Sequence, residues 1–309
     1  MLATVQKSIN LIFTVSKRTI PYLDYAIASH LGLSFDPKMI SINVVCLDRE
    51  SVLVVRNRHP KTEQVVFAEE ASGSLGHGLA LNVALNLFKT SSINIVSDTD
   101  VAILQSGWDS YLQDLFNIEK YDILGTQYSA LGSLTAGNSR RQQYKGKPTF
   151  TWIAFSHRVD LEGLDLRPAK GLYLPIKSRD ESEVYGLPIG FELLADVGWQ
   201  LPQHIRKRNY SYKVLEIITN DDPRCCVLKT LPTYHDEFHF RGLPWLVHQR
   251  GSGRHHFRID PVSRRFYDAV DHFLNAPAWS VKPSFVQIFS QTPLVLMDKL
   301  KMIWRDFRS

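Results

Sequence analysis

Residues 93–100, Ile93-Asn94-Ile95-Val96-Ser97-Asp98-Thr99-Asp100, form a short apolar run that stops at two carboxylates one residue apart. A buried parallel strand reads as such a run, and ligands of open α/β sheets gather beyond the carboxyl ends of strands. No lysine or arginine adjoins Asp98 or Asp100 in sequence. Two carboxylates so placed repel each other unless a cation lies between them, and their oxygens suit a hard divalent ion that can in turn hold a diphosphate. Asp-x-Asp alone is a weak signal, because a solvated turn capped by Asp98 has the same spelling. Its place at the end of an apolar run is what raises it.

Upstream, Leu11-Ile12-Phe13-Thr14-Val15 reads as a first buried strand. Pro21 opens a helix with Tyr22, Leu23, Ala26, Ile27 and Leu31 on one face, ending near Gly32. Residues 40–47 are a second strand stopped by Asp48, and 52–55 and 65–67 read as shorter strands. Gly73, Gly76 and Gly78 suggest a glycine-rich turn leading into an apolar helix over 79–88. Strand, helix, strand, helix, strand in this order means right-handed crossovers and a mainly parallel sheet. The expected fold class is therefore α/β, a Rossmann-like mainly parallel sheet flanked by helices.

Downstream, 108–116 reads as a helix and 122–125 as a strand, followed by a Gly, Ser, Arg and Gln-rich loop over 132–148. Strand character returns at 150–155. Residues 161–186 are irregular, 190–197 helical and 226–228 strand-like. Residues 293–307 form an amphipathic helix, with Val295, Leu296, Leu300, Ile303 and Trp304 set against Lys299, Lys301 and Arg305. Such helices pack on their own core; a peripheral membrane contact is the alternative.

The 309 residues allow one large domain or two modest ones. With 44% hydrophobic and 22% charged residues, the composition is that of an ordinary globular protein. No apolar stretch approaches the roughly 20 residues of a membrane span. Lys17-Arg18 close the apolar segment after Lys7 too early for a secretory signal, so a cytoplasmic location is expected. Cys46, Cys225 and Cys226 include no Cys-x-x-Cys pair, which suggests neither a zinc ribbon nor an oxidising compartment. The formal charge of +5 fits a binder of anionic phosphates without requiring nucleic acid. Of the basic clusters, 206–208 and 264–265 read as solvated faces, while 250–258 has a different explanation below.

A second chemical element is Gly76-His77-Gly78-Leu79-Ala80-Leu81-Asn82. Glycines ahead of a helix let backbone approach a ligand, and a helix N-terminus favours anions. The third glycine of the dinucleotide fingerprint is absent, and so is a Walker Gly-Lys-Ser/Thr. Asn82, inside an apolar run, needs a partner for its amide, either a ligand or protein backbone.

Taken together, the α/β front half, the Gly-…-Ala-x-Asn helix and the strand ending in Asp-x-Asp resemble the GT-A glycosyltransferases, above all their family 2-like members. The resemblance covers about residues 11–108, and its motifs are specific only in combination. It implies that Asp48 contacts the base of a nucleotide, that Asp98 faces the ribose or a metal, and that Asp100 ligates the metal bridging the diphosphate. His77, Gly78 and Asn82 join the donor-binding set. Many relatives supply a late histidine as third metal ligand, followed by small residues and a cation. His248 with Gly251 is similar to that pattern, and Arg254 stands where some relatives have lysine. Imidazole plus carboxylate suits Mn²⁺ (or Mg²⁺), and arginine offers bidentate phosphate contact. His235, His239, His255 and His256 compete with His248.

One departure matters. The Glu-Asp pair that family 2 enzymes place in the second half, whose carboxylate is the general base, is missing. Asp196 is the first candidate in its stead and Glu192 the second; four residues apart, both would project from one face of the expected helix. Sugar faces stack on aromatic rings, and Trp152, beside the 132–148 loop, is the tryptophan expected to serve an acceptor.

The resulting expectation is a GT-A-like domain over 1–259 with a helical extension over 260–309 packed on it. It would transfer a sugar from a UDP-linked donor to a glycan or other hydroxyl acceptor with a divalent cation, with inversion as the family 2-like front half implies, or retention as the His-x-x-Gly element of other relatives implies. A nucleotidyltransferase shares the sheet and acidic site but places a glycine-rich basic loop after its first strand, where this chain has Ser16-Lys17-Arg18. A non-catalytic nucleotide- or carbohydrate-binding protein of the same fold is the remaining alternative.

Overall fold

A computed structural model describes residues 8–69, 71, 73–90, 92–128, 140–229, 231, 235–250 and 259–275. Its centre is the run quoted above. Strand β1 (Ile9–Val15) pairs in parallel with β2 (Ile40–Cys46) on one side and with the Asp-x-Asp strand on the other. Helix α1 (Ile20–Gly32) connects β1 to β2, and α2 (Arg49–Arg58) connects β2 to β3 (Gln64–Phe67), the parallel edge strand. Helix α3 (Gly73–Leu85) then crosses to β4 (Ile93–Asp98). β1 is buried along its whole length, as a central parallel strand must be. Leu11 and Phe13 face the main core cluster, while Ile12 faces Ala80 and Ala84 of α3.

Beyond β4 the chain leaves the sheet through β5 (Val101–Ile103) and α4 (Trp108–Asn117), and returns as β6 (Ile123–Thr126). β7 (Arg141–Gln142) precedes β8 (Thr149–Phe155), which inserts antiparallel between β4 and β6. A small subdomain follows, with β9 (Tyr173–Pro175), α5 (Arg179–Tyr185) and β10 (Glu192–Leu194); β7, β10 and β9 form its sheet. After α6 (Leu201–Arg208), β11 (Tyr212–Val214) pairs in parallel with β6. The central sheet thus runs β11-β6-β8-β4-β1-β2-β3, mainly parallel and flanked by helices, the α/β class expected.

β12 (Glu216–Ile218), β13 (Asp236–Phe240) and β14 (Leu243–His248) join β5 in a four-stranded antiparallel sheet, order β12-β13-β14-β5. Last comes α7 (Pro261–Leu274), whose Phe266, Tyr267 and Val270 pack on Tyr22 and Tyr25 of α1. Among the described residues no helix is long and apolar enough to cross a membrane. The helix expected over 293–307 lies outside the described residues, as does 132–139 of the expected 132–148 loop; the remainder of that loop includes β7.

Several local expectations are corrected. Residues 52–55 are helical, not a strand: the Asp48 side chain caps α2 by accepting the Ser51 N–H at 2.8 Å, and this overrides the β-preference of the valines. The glycines at 76 and 78 sit inside α3 instead of in a turn before it. A Cβ on Gly76 would lie 2.2 Å from the Ala71 carbonyl oxygen, and one on Gly78 would lie 2.8 Å from Arg167 Cα. These glycines serve packing against protein backbone. Residues 190–197 contain β10 in place of the expected helix, so Glu192 and Asp196 do not share a helical face. Residues 226–228 form no strand; their backbone N–H groups turn toward Glu237. Trp152 is wholly buried, which excludes it as an exposed stacking platform.

Candidate active site

The carboxyl ends of β1 and β4 lie side by side, with Thr14 opposite Asp98. A cavity of about 200 Å³ opens there, lined by Thr14, Ser16, Thr19, Leu47, His77, Asp98, Thr99 and Asp100. Asp98 is the last residue of β4. A tight turn at 99–100 then sends the chain into β5 and hence into the second sheet. β5 pairs antiparallel with β14, placing His248 opposite Val101, and Gln249 N–H donates to the Asp100 carbonyl at 3.0 Å. Sheet pairing therefore brings His248 back to Asp100 from far along the chain. Its Nε2 lies 3.6 Å from Asp100 Oδ2. Asp98, Asp100 and His248 each present a ligand atom within 4.8 Å of the others.

His248 is held from behind. β13 and β14 form a hairpin around Arg241 and Gly242, both at positive φ (54° and 79°), and the register sets Asp236 opposite His248. Asp236 Oδ2 lies 3.3 Å from His248 Nδ1 and 2.5 Å from Arg250 Nε. A carboxylate on one ring nitrogen fixes the tautomer and aims the other nitrogen forward. Burial opposes charge on His248, but the Asp100 carboxylate and the hydrogen-bonded Asp236 carboxylate outweigh it, raising its pKa to about 10.

On the other side, His77 of α3 places Nε2 3.1 Å from Asp98 Oδ1. Burial works against its charge as well, yet Asp98, Asp100 and Asp196 together hold its pKa above the usual imidazole value. Gly78 packs on residues 166–167. Asn82 donates to Asp165 Oδ1 at 2.9 Å and accepts the Leu166 N–H at 2.8 Å, so its amide is satisfied within the protein. Asp48, besides capping α2, accepts the Lys17 N–H at 2.8 Å and thereby anchors the loop after β1 that lines the cavity.

Of the two candidate bases, Glu192 is ion-paired to Arg141 at 2.7 Å, and that guanidinium stacks 4.4 Å over the Tyr173 ring. Asp196 is half-buried, and its Oδ1 accepts the Val197 N–H at 2.9 Å. Its charge reaches His77 and the half-buried Tyr128, which also feels Asp98. Asp196 thus lies on the side of the metal-type cluster, whereas Glu192 is engaged within the small subdomain. Arg254, Gly251, His255 and His256 lie outside the described residues. Of the other competing histidines, His235 packs on Phe266 with centroids 4.9 Å apart, and His239 pairs with Glu237; neither joins Asp98 and Asp100.

Sequence reasoning missed Asp236 and Arg250, and the cavity-lining Thr14, Ser16 and Thr19. Counting outward from the Arg241-Gly242 turn would set Asp236 opposite Val247; an irregularity between Phe238 and His239 shifts the register by one and brings Asp236 opposite His248, which the sequence pattern does not show.

No family model matches the sequence, and no curated protein sequence does either. Several solved structures are similar in shape. The mannosyltransferase PcManGT from Pyrobaculum calidifontis, in complex with GDP-Man and Mn²⁺, matches at 14% identity and a TM-score of 0.36, over 49% of this chain and 45% of its own. Residues 1–349 of TarS from S. aureus match at 16% identity and a TM-score of 0.37, over 67% and 60% respectively. The 4-diphosphocytidyl-2C-methyl-D-erythritolsynthase from Anaerococcus prevotii matches at 10% and 0.35, over 67% and 88%. The matched region spans less than two thirds of the first two neighbours. Likenesses this distant carry no mechanism, and the fold assignment rests on the strand order itself.

Proposed function

We propose that the protein is a metal-dependent glycosyltransferase that moves a sugar from a nucleotide-diphosphate donor, UDP-linked, to a hydroxyl acceptor with inversion. The observation that carries this reading is the convergence of Asp98, Asp100 and His248, from two different sheets, at the rim of a cavity beyond the carboxyl ends of parallel strands. Two carboxylates and an oriented imidazole suit Mn²⁺ or Mg²⁺, with the nitrogen favouring Mn²⁺. When bound, such an ion neutralises charge on a departing diphosphate.

The chain's own residues do the rest. Asp98, Asp100 and His248 hold the cation, and Asp236 keeps the His248 Nε2 lone pair directed at it. His77, whose charged form Asp98 favours, is placed to donate to a phosphate oxygen, and Arg254 would supply a cation from the 251–258 segment. Thr14, Ser16 and Thr19 offer hydroxyls to the nucleoside side of the cavity, with Asp48 holding their loop and contacting the base. Asp196 accepts the proton of the acceptor hydroxyl as its oxygen bonds to the anomeric carbon and the bond to the diphosphate oxygen breaks. The glycan or other hydroxyl acceptor, and a cytoplasmic location, belong to the same reading.

Calorimetry with uridine diphosphate, with and without Mn²⁺, tests it: binding should depend on the metal, and Asp100→Ala should remove both the binding and metal-dependent donor hydrolysis. Metal-independent binding, or no binding across several nucleotides, would sink the enzyme reading in favour of a non-catalytic relative. Release of pyrophosphate from a nucleoside triphosphate would instead favour a nucleotidyltransferase.

A further inference from the structure

We propose that Cys226, Glu237 and His239 form a second cation site, for a borderline-soft divalent ion such as Zn²⁺, independent of the Asp98–Asp100–His248 cluster. Strand alternation separates the two: Asp236 turns toward His248, while the next residue, Glu237, turns to the opposite face of β13. Glu237 is fully buried there. Its Oε1 accepts the Cys226 N–H at 2.8 Å, and its Oε2 accepts the N–H groups of Val227 at 2.9 Å and Leu228 at 3.1 Å. Three backbone donors lock the carboxylate in place, a ligand already oriented by its surroundings.

A buried carboxylate calls for a compensating positive charge. Among the described residues the one ion-pair partner of Glu237 is His239, with Nε2 2.8 Å from Oε1. The guanidinium of nearby Arg224 is taken up by Asp222 and Glu216. His239 itself is 1% exposed, and its Nδ1 is buried without a partner. Cys226 supplies the third group: its thiol is on the exposed side, 3.1 Å from the Arg224 carbonyl oxygen. One ligand atom from each of the three residues lies within 4.8 Å of the others.

Thiolate, imidazole and carboxylate together select zinc-type ions over Mg²⁺ or Mn²⁺. Metal–ligand distances of about 2.0–2.3 Å require the ligand atoms to stand roughly 3.5 Å apart. The buried pair opens slightly and the exposed thiol swings inward by about 1 Å, a rotation that a surface side chain makes freely. The ion takes the place of the His239 Nε2 proton, which moves to Nδ1 so that the ring stays a neutral imidazole; the Cys226 thiol releases its proton to solvent, and a water fills the fourth position. Cys225, whose buried Sγ donates to Glu237 Oε2 at 3.3 Å, takes no part. Bound metal would tie the 222–228 turn to β13, the strand that also carries Asp236.

The test uses the full chain, stripped with chelator and titrated with Co²⁺. A thiolate-to-cobalt charge-transfer band is expected in the wild type. It should persist in Asp100→Ala and in Cys225→Ser, and vanish in Cys226→Ser, an exposed and sterically mild change. Zn²⁺ should raise the thermal midpoint of the wild type but not of Cys226→Ser. No band in the wild type, a band that survives Cys226→Ser, or one lost in Cys225→Ser instead would overturn the proposal. The donor-site cluster contains no thiol and is silent in this readout, so failure of the glycosyltransferase reading would leave the result unchanged.

Discussion

Two enclosed imidazoles, His30 in the core and His248 at the site, have opposite proton affinities. His30 sits between Phe13 and Trp108; its Nδ1 donates to the Ala26 carbonyl at 2.7 Å and its Nε2 accepts the Trp152 indole N–H at 3.2 Å. No carboxylate faces it in that set, so burial dominates and its pKa falls to about 4. Burial opposes charge on His248 too, yet Asp100 and Asp236 carry its pKa to about 10. Burial says little about a histidine's role; the neighbouring charge decides whether the ring is a neutral packing element or is drawn toward its charged form.

The largest effect should come from removing the charge that sets the two rings apart. Asp100→Ala should cut metal-dependent donor turnover by about 10³-fold or more while the His30 region stays folded, as activity assays and near-UV circular dichroism would show. A variant that keeps full turnover would remove the distinction.

The next effect belongs to His30. Its folded pKa lies below the ordinary value of 6.5, so the neutral ring contributes stability that is present above about pH 6.5 and lost as pH falls toward 4. The loss should reach about 3 kcal/mol, and His30→Gln, which can still donate and accept, should flatten that part of the pH profile. Urea melts at pH 7 and pH 5 on both proteins would measure it; identical slopes would show that His30 titrates normally.

Asp236→Asn tests how much of the behaviour of His248 is orientation. Mn²⁺ affinity should weaken by about 10–100-fold, and the pKa of His248, held up in part by Asp236, should fall in an NMR titration of the metal-free protein. An unchanged titration would mean that Asp236 only packs. The smallest effect is expected at Asn82→Ala, which leaves the Leu166 N–H and Asp165 without their amide partner. Chemical denaturation should show a loss of about 1–2 kcal/mol with donor affinity retained. A selective loss of donor affinity would return Asn82 to ligand binding.

Much of the first sheet was legible from residue pattern. β1, β2 and β4 are apolar runs because both faces are covered, and α1 shows its buried stripe and its proline start. α2 was misread because residues 52–55 are rich in valine, and the signal that mattered was the cap at Asp48. β10 was misread because three strand residues held by β7 and β9 have no periodicity of their own. Trp152 was misplaced because proximity to a loop in sequence says nothing of direction, and β8 turns its indole toward His30.

The sequence by itself determined the mainly parallel α/β front half and the two carboxylates at a strand end. Hydrophobic periodicity and charge placement are local properties, and neighbouring residues express them. Only the tertiary structure decided which of several late histidines meets Asp100, that Asp236 stands behind it, and that Glu237 faces the other way. Those outcomes depend on the register of β13, β14 and β5, where a shift of one residue would turn every side chain to the opposite face.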